Sequence, residues 1–213
     1  MRRDEWRWLE RRFDALRDQG PPSVLDVGCG NGALLSALQS RIDSGVGVDV
    51  SSRFIAIAQA RTRTLPHLSF APITDSTLPF ADRSFDVVIS FLSFRYLDWN
   101  AVIPEVLRVL KPGGRMLIVD MVKQRATPAD ALHVARAAVG HVLRPLRDRR
   151  FHRDIARLTS HPDWLRMLQR HPMRDAAEYR GCFERWFPGR PIHNLHVTPH
   201  KRIIALDSGP LPR

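Results

Sequence analysis

The chain has 213 residues, 44% of them hydrophobic, which is enough for one domain with a full core. It has no apolar run of the ~20 residues that cross a membrane, and its N-terminus, which carries acidic residues, lacks the apolar stretch of a signal peptide. Two cysteines, Cys29 and Cys182, form neither a disulfide framework nor a metal cluster. We therefore expect a globular, cytoplasmic protein without a metal site.

The net charge of +11 is unevenly distributed along the chain. Residues 1–120 hold 15 basic and 14 acidic side chains, whereas residues 121–213 hold 18 and 8. Such a basic region indicates nucleic acid, an anionic membrane surface or an acidic substrate. Since 30 of the 33 basic residues are arginine, solvated helix faces in an arginine-rich proteome explain it equally well.

The first predicted elements are a helix and a β-α-β unit. Over residues 3–19, apolar side chains recur at helical spacing, namely Trp6, Leu9, Phe13 and Leu16. Residues 23–50 then read as strand, glycine-rich turn, helix and strand. The turn carries Gly28, Gly30 and Gly32 at every second position, and the second strand ends on Asp49.

This unit predicts a site for a polar, partly anionic small molecule. Alternating glycines allow positive φ and let a ligand approach bare main chain, while the helix that follows directs free amides to the same place. The order G-x-G-x-G differs from the dinucleotide fingerprint G-x-G-x-x-G. An acid such as Asp49, at the end of the second strand, typically accepts ribose hydroxyls.

Downstream elements alternate in the same way. We predict a helix over 53–63 capped by Ser51-Ser52, strands over 68–71 and 85–90, a helix over 101–110, a turn at 111–114 and a strand over 115–120.

The last third of the chain is mostly helical by pattern. Thr127-Pro128-Ala129-Asp130 predicts a helix start, followed by helical segments over 129–144 and 146–158, another from 161, and one over 176–187. The tail alternates as a hairpin, with strands over 192–197 and 202–206. We interpret residues 122–173 as a helical cap on one domain.

At this point the chain resembles the Rossmann-like (class I) S-adenosylmethionine-dependent methyltransferases that modify small molecules. The resemblance is carried by the segments 24–32, 45–50, 78–90 and 105–120. It implies an α/β fold: a seven-stranded, mostly parallel sheet with an antiparallel C-terminal hairpin and helices on both faces. We expect one domain over 1–213, divided into an N-terminal helix (1–22), a cofactor core (23–120), a helical cap (122–173) and a closing helix and hairpin (174–207).

The resemblance also implies S-adenosylmethionine as the cofactor and assigns residues to it. Asp26 and the loop of Gly28, Cys29, Gly30 and Gly32 would hold its amino acid end. Asp49 would bind the ribose, Val50 would lie against adenine, and Ser90 and Phe91 would line the region near the sulfonium. The family places an acid for the adenine amino group where this chain has Thr74, so we favour the neighbouring Asp75 over Thr74, with Ser76 beside them.

The sequence assigns no catalytic base, since methyl transfer needs alignment above all. Residues 90–96 suggest an apolar or aromatic-lined pocket for a small acceptor that is aromatic, apolar or anionic. Arg95 is predicted either to bind a substrate anion or to form a surface ion pair with Asp98; Tyr96, His133 and His141 are further candidates for chemistry.

Three alternatives stay open. One is an RNA or protein methyltransferase that binds through the basic C-terminal half, although no nucleic-acid module is recognisable. The others are a non-methylating binder and another nucleotide-binding Rossmann protein. Acceptor atom and oligomeric state are not assigned.

Overall fold

A computed structural model of the chain describes residues 3–125, 127–131, 134–135, 173–198 and 200–212. Seven strands form one sheet in the order β3-β2-β1-β4-β5-β7-β6. Strands β1 to β5 pair in parallel, whereas β7 pairs antiparallel with both β5 and β6. The predicted sheet, including the antiparallel hairpin at its edge, is confirmed.

The strands are β1 (Ser23–Val27), β2 (Ser44–Asp49), β3 (Leu68–Pro72), β4 (Phe85–Phe91), β5 (Leu110–Lys123), β6 (Ile192–Val197) and β7 (Lys201–Asp207). The helices described are α1 (Arg3–Asp14), α2 (Ala33–Leu38), α3 (Ser52–Arg61), α4 (Trp99–Val109) and α5 (Ala176–Trp186). Ser51 caps α3 as predicted, because its hydroxyl accepts a hydrogen bond from the Phe54 amide.

Side chains that alternate along the strands supply two separate cores, one on each face. On β5, Met116 and Ile118 pack with α4 and α5, whereas Leu117 and Val119 pack with α1, α2 and α3. This alternation is the period of a strand buried on both faces. Helices therefore cover both faces of the sheet, as predicted.

The first helix, α4 and β5 have boundaries that differ from the predictions. The first helix ends at Asp14, and a single 3-10 turn follows at Arg17–Gln19. Helix α4 begins at Trp99, since the Asp98 carboxylate accepts the Asn100 amide and caps it there. Strand β5 begins at Leu110, which pairs with Phe85 before the register shifts and resumes at Arg115.

Most of the predicted cap, including its helices over 129–144 and 146–158 and the one from 161, lies outside the described residues. The structure describes where this segment leaves and rejoins the sheet. Thr127 and Asp130 form the predicted helix start, as a capping box on a 3-10 turn at Pro128–Asp130. Asp130 then pairs with Arg202 of β7, with Arg202 Nη2 at 2.6 Å from Asp130 Oδ2.

Candidate functional site

The candidate site lies at the carboxyl ends of β1 and β2, beside the point where the strand order reverses between β1 and β4. Ligands of open α/β sheets bind at such a switch point. The glycine loop after β1 is fastened to β2, because the amides of Gly28 and Cys29 both donate to the Val48 carbonyl, at 2.8 and 3.0 Å.

Asp26 is a buried acid with an unsatisfied oxygen. It is 1% exposed, and its Oδ1 has no hydrogen-bond partner among the described residues. Burial, and secondly the nearby Asp49 carboxylate, raise the pKa of Asp26 to about 8. A buried carboxylate oxygen without a donor is unfavourable, so this position suits a ligand cation, directly or through one water molecule.

Asp49 joins the glycine loop to the end of β2. Its Oδ2 accepts the Gly30 amide at 2.9 Å, and its Oδ1 accepts the Ser51 amide at 2.8 Å. Each oxygen keeps a second lone pair, and the side chain is half-buried. The carboxylate is therefore held rigidly by two backbone amides while it can still accept a pair of ligand hydroxyls.

The three loop glycines serve different purposes, although all have positive φ. A Cβ at Gly28 would lie 2.5 Å from the Ser93 side chain, and one at Gly32 would lie 2.9 Å from Ala58 and the Phe70 ring. At Gly30, with φ +51°, no atom lies within 4 Å of that position. Of the three, only Gly30 presents open space to a ligand; the other two allow close packing of the protein on itself.

Two further residues lie at this edge: Val50, which follows Asp49, and Cys29, which follows Gly28. Val50 is 72% exposed beside the half-buried Asp49, so its side chain is available to a flat apolar ligand group. Cys29 is buried, and burial raises the pKa of its thiol, so it is an unreactive small side chain of the loop. These features, with Asp26 and Gly30, fit a nucleoside that carries a cationic group.

The segment predicted to contact adenine, residues 74–76, follows directly after Ile73. The Ile73 amide donates to the Asp49 carbonyl at 3.0 Å. Thr74 and Asp75 then follow as exposed residues and Ser76 as a half-buried one. Asp75 accepts the Thr77 amide at 2.7 Å. The choice between Thr74 and Asp75 as the adenine contact stays a prediction.

Ser90 is held inside the protein. It is fully buried, and its hydroxyl donates to the Val27 carbonyl at 3.0 Å. The Ser93 hydroxyl donates to the same carbonyl at 3.0 Å and lies 2.9 Å from Ser90 Oγ. In this structure Ser90 therefore holds the end of β1, and only Phe91, which is half-buried, remains placed to line the site.

Arg95 pairs with Asp120 and not with Asp98. Its guanidinium bonds the carboxylate of Asp120 in β5, and its backbone amide donates to Asp120 Oδ2 at 2.6 Å. Burial lowers the pKa of Arg95, but the Asp120 charge together with Tyr96 and Tyr179 outweighs burial, and the net shift is upward. The expected surface pair with Asp98 is wrong, because Arg95 is only 7% exposed and Asp98 caps α4 instead.

Asp120 is the centre of a network that sequence reasoning missed. It also accepts the Tyr179 hydroxyl at 2.5 Å and the Met121 amide at 2.7 Å. Burial and then the Asp120 charge raise the pKa of Tyr179, so Tyr179 is a neutral donor here. An acid at the end of an apolar strand was the available signal; its partners are remote in sequence.

Arg174 fastens the chain where it returns to the sheet. Its side chain donates to the carbonyls of Arg95 and Leu97, at 3.3 and 3.4 Å, and lies 4.0 Å over the Trp99 ring. Trp99 in turn stacks on Phe94 at 5.3 Å. Phe94 is fully buried in this aromatic cluster, which removes it from the predicted acceptor pocket, whereas Tyr96 is half-buried beneath the Arg95 guanidinium at 4.5 Å.

His133 and His141 lie outside the described residues. Across the described parts of the chain, no group of three or more His, Cys, Asp or Glu side chains is arranged to hold a metal ion. Those parts also contain no helix with the length and apolar character needed to cross a bilayer.

Comparison with known proteins agrees with this geometry. Residues 25–118 match the family model described as a methyltransferase domain. The chain is 34% identical over 119 residues to the demethylmenaquinone methyltransferase of Thermus thermophilus, covering 54% of each protein. It is 34% identical over 122 residues to the O-methyltransferase cnsE of Penicillium expansum, covering 54% of this chain and 43% of that protein.

The chain spans about half the length of the curated relatives it matches. A solved structure is similar over nearly the whole length: the YcgJ protein of Bacillus subtilis superposes with a TM-score of 0.61, covering 96% of this chain and 98% of that one. At 17% identity this similarity shows a shared fold.

Proposed function

We propose that this chain is a class I S-adenosylmethionine-dependent methyltransferase that binds S-adenosylmethionine and methylates a small organic molecule. The match to a methyltransferase domain and the similarity to demethylmenaquinone methyltransferase support this proposal. The observation that carries the proposal is the edge of β1 and β2, where Asp26 keeps an unsatisfied buried oxygen and Gly30 faces open space. When bound, this cofactor supplies a methyl group activated on a sulfonium.

The chain's own residues supply the binding contacts. Asp26 offers its carboxyl group to the ammonium of the cofactor's amino acid end, whose positive charge favours the ionised form of the acid, and Gly30 lets the cofactor approach the main chain. Asp49, held by the amides of Gly30 and Ser51, accepts the two ribose hydroxyls. Val50 offers its exposed side chain to adenine.

The acceptor side is formed by the ends of β4 and β5 and by the loop 92–97. Methyl transfer is an in-line displacement, so positioning the acceptor contributes more than a dedicated base. Because Arg95 is paired with Asp120, its positive charge is not available to bind an anionic acceptor at this edge. Phe91 and Tyr96 remain as half-buried aromatic residues there, which supports an apolar or aromatic acceptor.

We further propose that residues 122–173 choose the acceptor and belong to the same single domain. The segment leaves the sheet through Asp130, paired with Arg202, and returns through Arg174, whose carbonyl accepts the Lys123 amide at 2.9 Å. Both fastenings lie at the carboxyl end of β5, on the edge that carries the candidate site. Variable segments placed over a rigid scaffold commonly supply specificity.

Small organic acceptors are also supported by the relatives. The two curated relatives described above are named for a demethylmenaquinone and for O-methylation. Among the described residues, none forms a recognisable nucleic-acid module, so the basic C-terminal half alone would have to support an RNA or protein acceptor.

The test has two stages. Calorimetry should show saturable binding of S-adenosylmethionine or its demethylated product, and incubation with a small-molecule library should give products heavier by one methyl group. Tighter binding of a nicotinamide dinucleotide would contradict the family assignment. Cofactor binding with methylation confined to RNA or protein would contradict the small-molecule acceptor.

A further inference from the structure

A second concave site lies away from the cofactor edge, between α5 and the outer strands β6 and β7. It is a groove of about 320 Å³. Its floor includes Phe183 of α5 and Ile204 of β7, both buried. Polar and charged side chains surround this floor.

The groove is separate from the cofactor edge. Strands β7 and β6 are the third and fourth strands from β1. At about 4.8 Å between neighbouring strands, they lie roughly 14 and 19 Å from β1. A small molecule bound in the groove therefore does not reach Gly30, and the inference does not depend on the proposed methyl transfer.

The groove is rich in hydrogen-bond donors. Three guanidinium groups and two amides line it, those of Arg180, Arg190, Arg202, Asn194 and Gln124. Neither Arg180 nor Arg190 forms an ion pair with another described residue, whereas Arg202 is paired with Asp130. Glu184 is the acidic residue among the lining side chains. The three guanidinium groups face two carboxylates, those of Glu184 and Asp130, so the groove has a net charge of +1.

Two of the guanidinium groups are held in place before any ligand binds. Gly209 has φ +68°, and a Cβ built there would lie 2.4 Å from Arg190 Cζ, so Arg190 rests against bare main chain. Arg202 is 6% exposed and is fixed by Asp130 through both terminal nitrogens, at 3.2 and 2.6 Å. Packing that fixes a charged donor beforehand lowers the entropy cost of binding.

We propose that this groove binds the carboxylate or phosphate group of a small molecule. Planar guanidinium groups match the oxygens of both anions and bind them with charge-assisted hydrogen bonds. The amides of Asn194 and Gln124 add neutral donors, while Phe183 and Ile204 provide a surface for the ligand's carbon atoms. Glu184, on the same rim, limits the total negative charge that the groove tolerates.

The test titrates the full-length protein with inorganic phosphate and, separately, with succinate, at constant ionic strength because exposed charges are screened by salt. Arg180→Gln and Arg190→Gln remove lining charges. Arg185→Gln is the matched control, since it removes the same charge from an exposed residue of α5 that does not line the groove. Arg180 and Arg190 are also exposed, so their replacement leaves the core intact.

We expect saturable binding of at least one anion, weakened about three- to tenfold by Arg180→Gln or Arg190→Gln, as for a charged hydrogen bond at a partly exposed site. Arg185→Gln should change the affinity less than twofold. The better of the two anions identifies the ligand class. Failure of both anions to saturate, an equal loss in Arg185→Gln, or competition by S-adenosylhomocysteine would overturn the proposal.

Discussion

The carboxyl ends of β1 and β2, called the β1–β2 edge, and those of β4 and β5, called the β4–β5 edge, differ in how their polar groups are paired. At the β1–β2 edge, Asp26 keeps an oxygen without a partner, Gly30 faces open space and Val50 is largely exposed. At the β4–β5 edge, Asp120 accepts from the side chains of Arg95 and Tyr179 as well as from two backbone amides.

This difference in hydrogen bonding separates a ligand-binding site from a part of the protein that stabilises the fold. Leaving a buried acid unsatisfied lowers stability and is consistent with a ligand that completes the site. A carboxylate with four donors already has its partners and stabilises the fold around it. We therefore expect substitutions at the first edge to change cofactor affinity and substitutions at the second to change stability.

The largest effect is expected from Gly30→Val. Its side chain would fill the open space over the loop, and cofactor affinity should fall at least 100-fold by calorimetry. Gly113→Val is the matched control, since Gly113 also has positive φ and open surroundings but lies at the start of β5, on the opposite edge. Normal cofactor affinity in a folded Gly30→Val protein would remove this glycine from the site.

Asp49→Ala is expected to weaken cofactor binding about 10- to 100-fold, because two ligand hydroxyls lose a charged acceptor. The Gly30 and Ser51 amides also lose their partner. Asp43→Ala, an exposed acid just before the other end of β2, should leave the dissociation constant unchanged. Equal cofactor affinities of the two variants would contradict the assignment of Asp49 to the ribose hydroxyls.

At the second edge, Tyr179→Phe should lower the free energy of unfolding by about 1.5–3 kcal/mol, the range for a hydrogen bond to a charged group. Cofactor affinity should change less than twofold. Denaturant unfolding and calorimetry measure the two quantities separately. A loss of affinity as large as the loss of stability would show that the two edges are not distinct.

The last expected effect is a dependence of stability on pH. Burial raises the pKa of Asp26 to about 8, so between about pH 4 and pH 8 the folded protein holds a proton that the unfolded chain has released. The free energy of unfolding should therefore fall as pH rises, by at most about 1.4 kcal/mol per pH unit. Asp26→Asn should flatten this slope in denaturant melts; parallel slopes in both proteins would show that Asp26 is ionised throughout.

The sequence was sufficient to predict the sheet, the glycine loop and the position of Asp49 at the end of β2, because these features are local in the chain. Alternating glycines, strand-ending acids and turn residues act within a few positions of themselves. The cap at Ser51 and the helix start at residues 127–130 were predictable for the same reason.

What could not be predicted depends on contacts between distant residues. Arg95 finds Asp120 across 25 positions, so the nearby Asp98 was a poor guide. The different purposes of Gly28 and Gly30 depend on Ser93, which is more than sixty residues away. Local spacing does not specify which element packs above a loop.

The central claim is that the β1–β2 edge is completed by S-adenosylmethionine. Calorimetric titration of the intact protein with S-adenosylhomocysteine, repeated with Gly30→Val and Tyr179→Phe, tests it most directly. The account predicts one saturable site that Gly30→Val abolishes and Tyr179→Phe preserves. Absence of saturable binding to the folded protein, or equal binding by all three proteins, would contradict it.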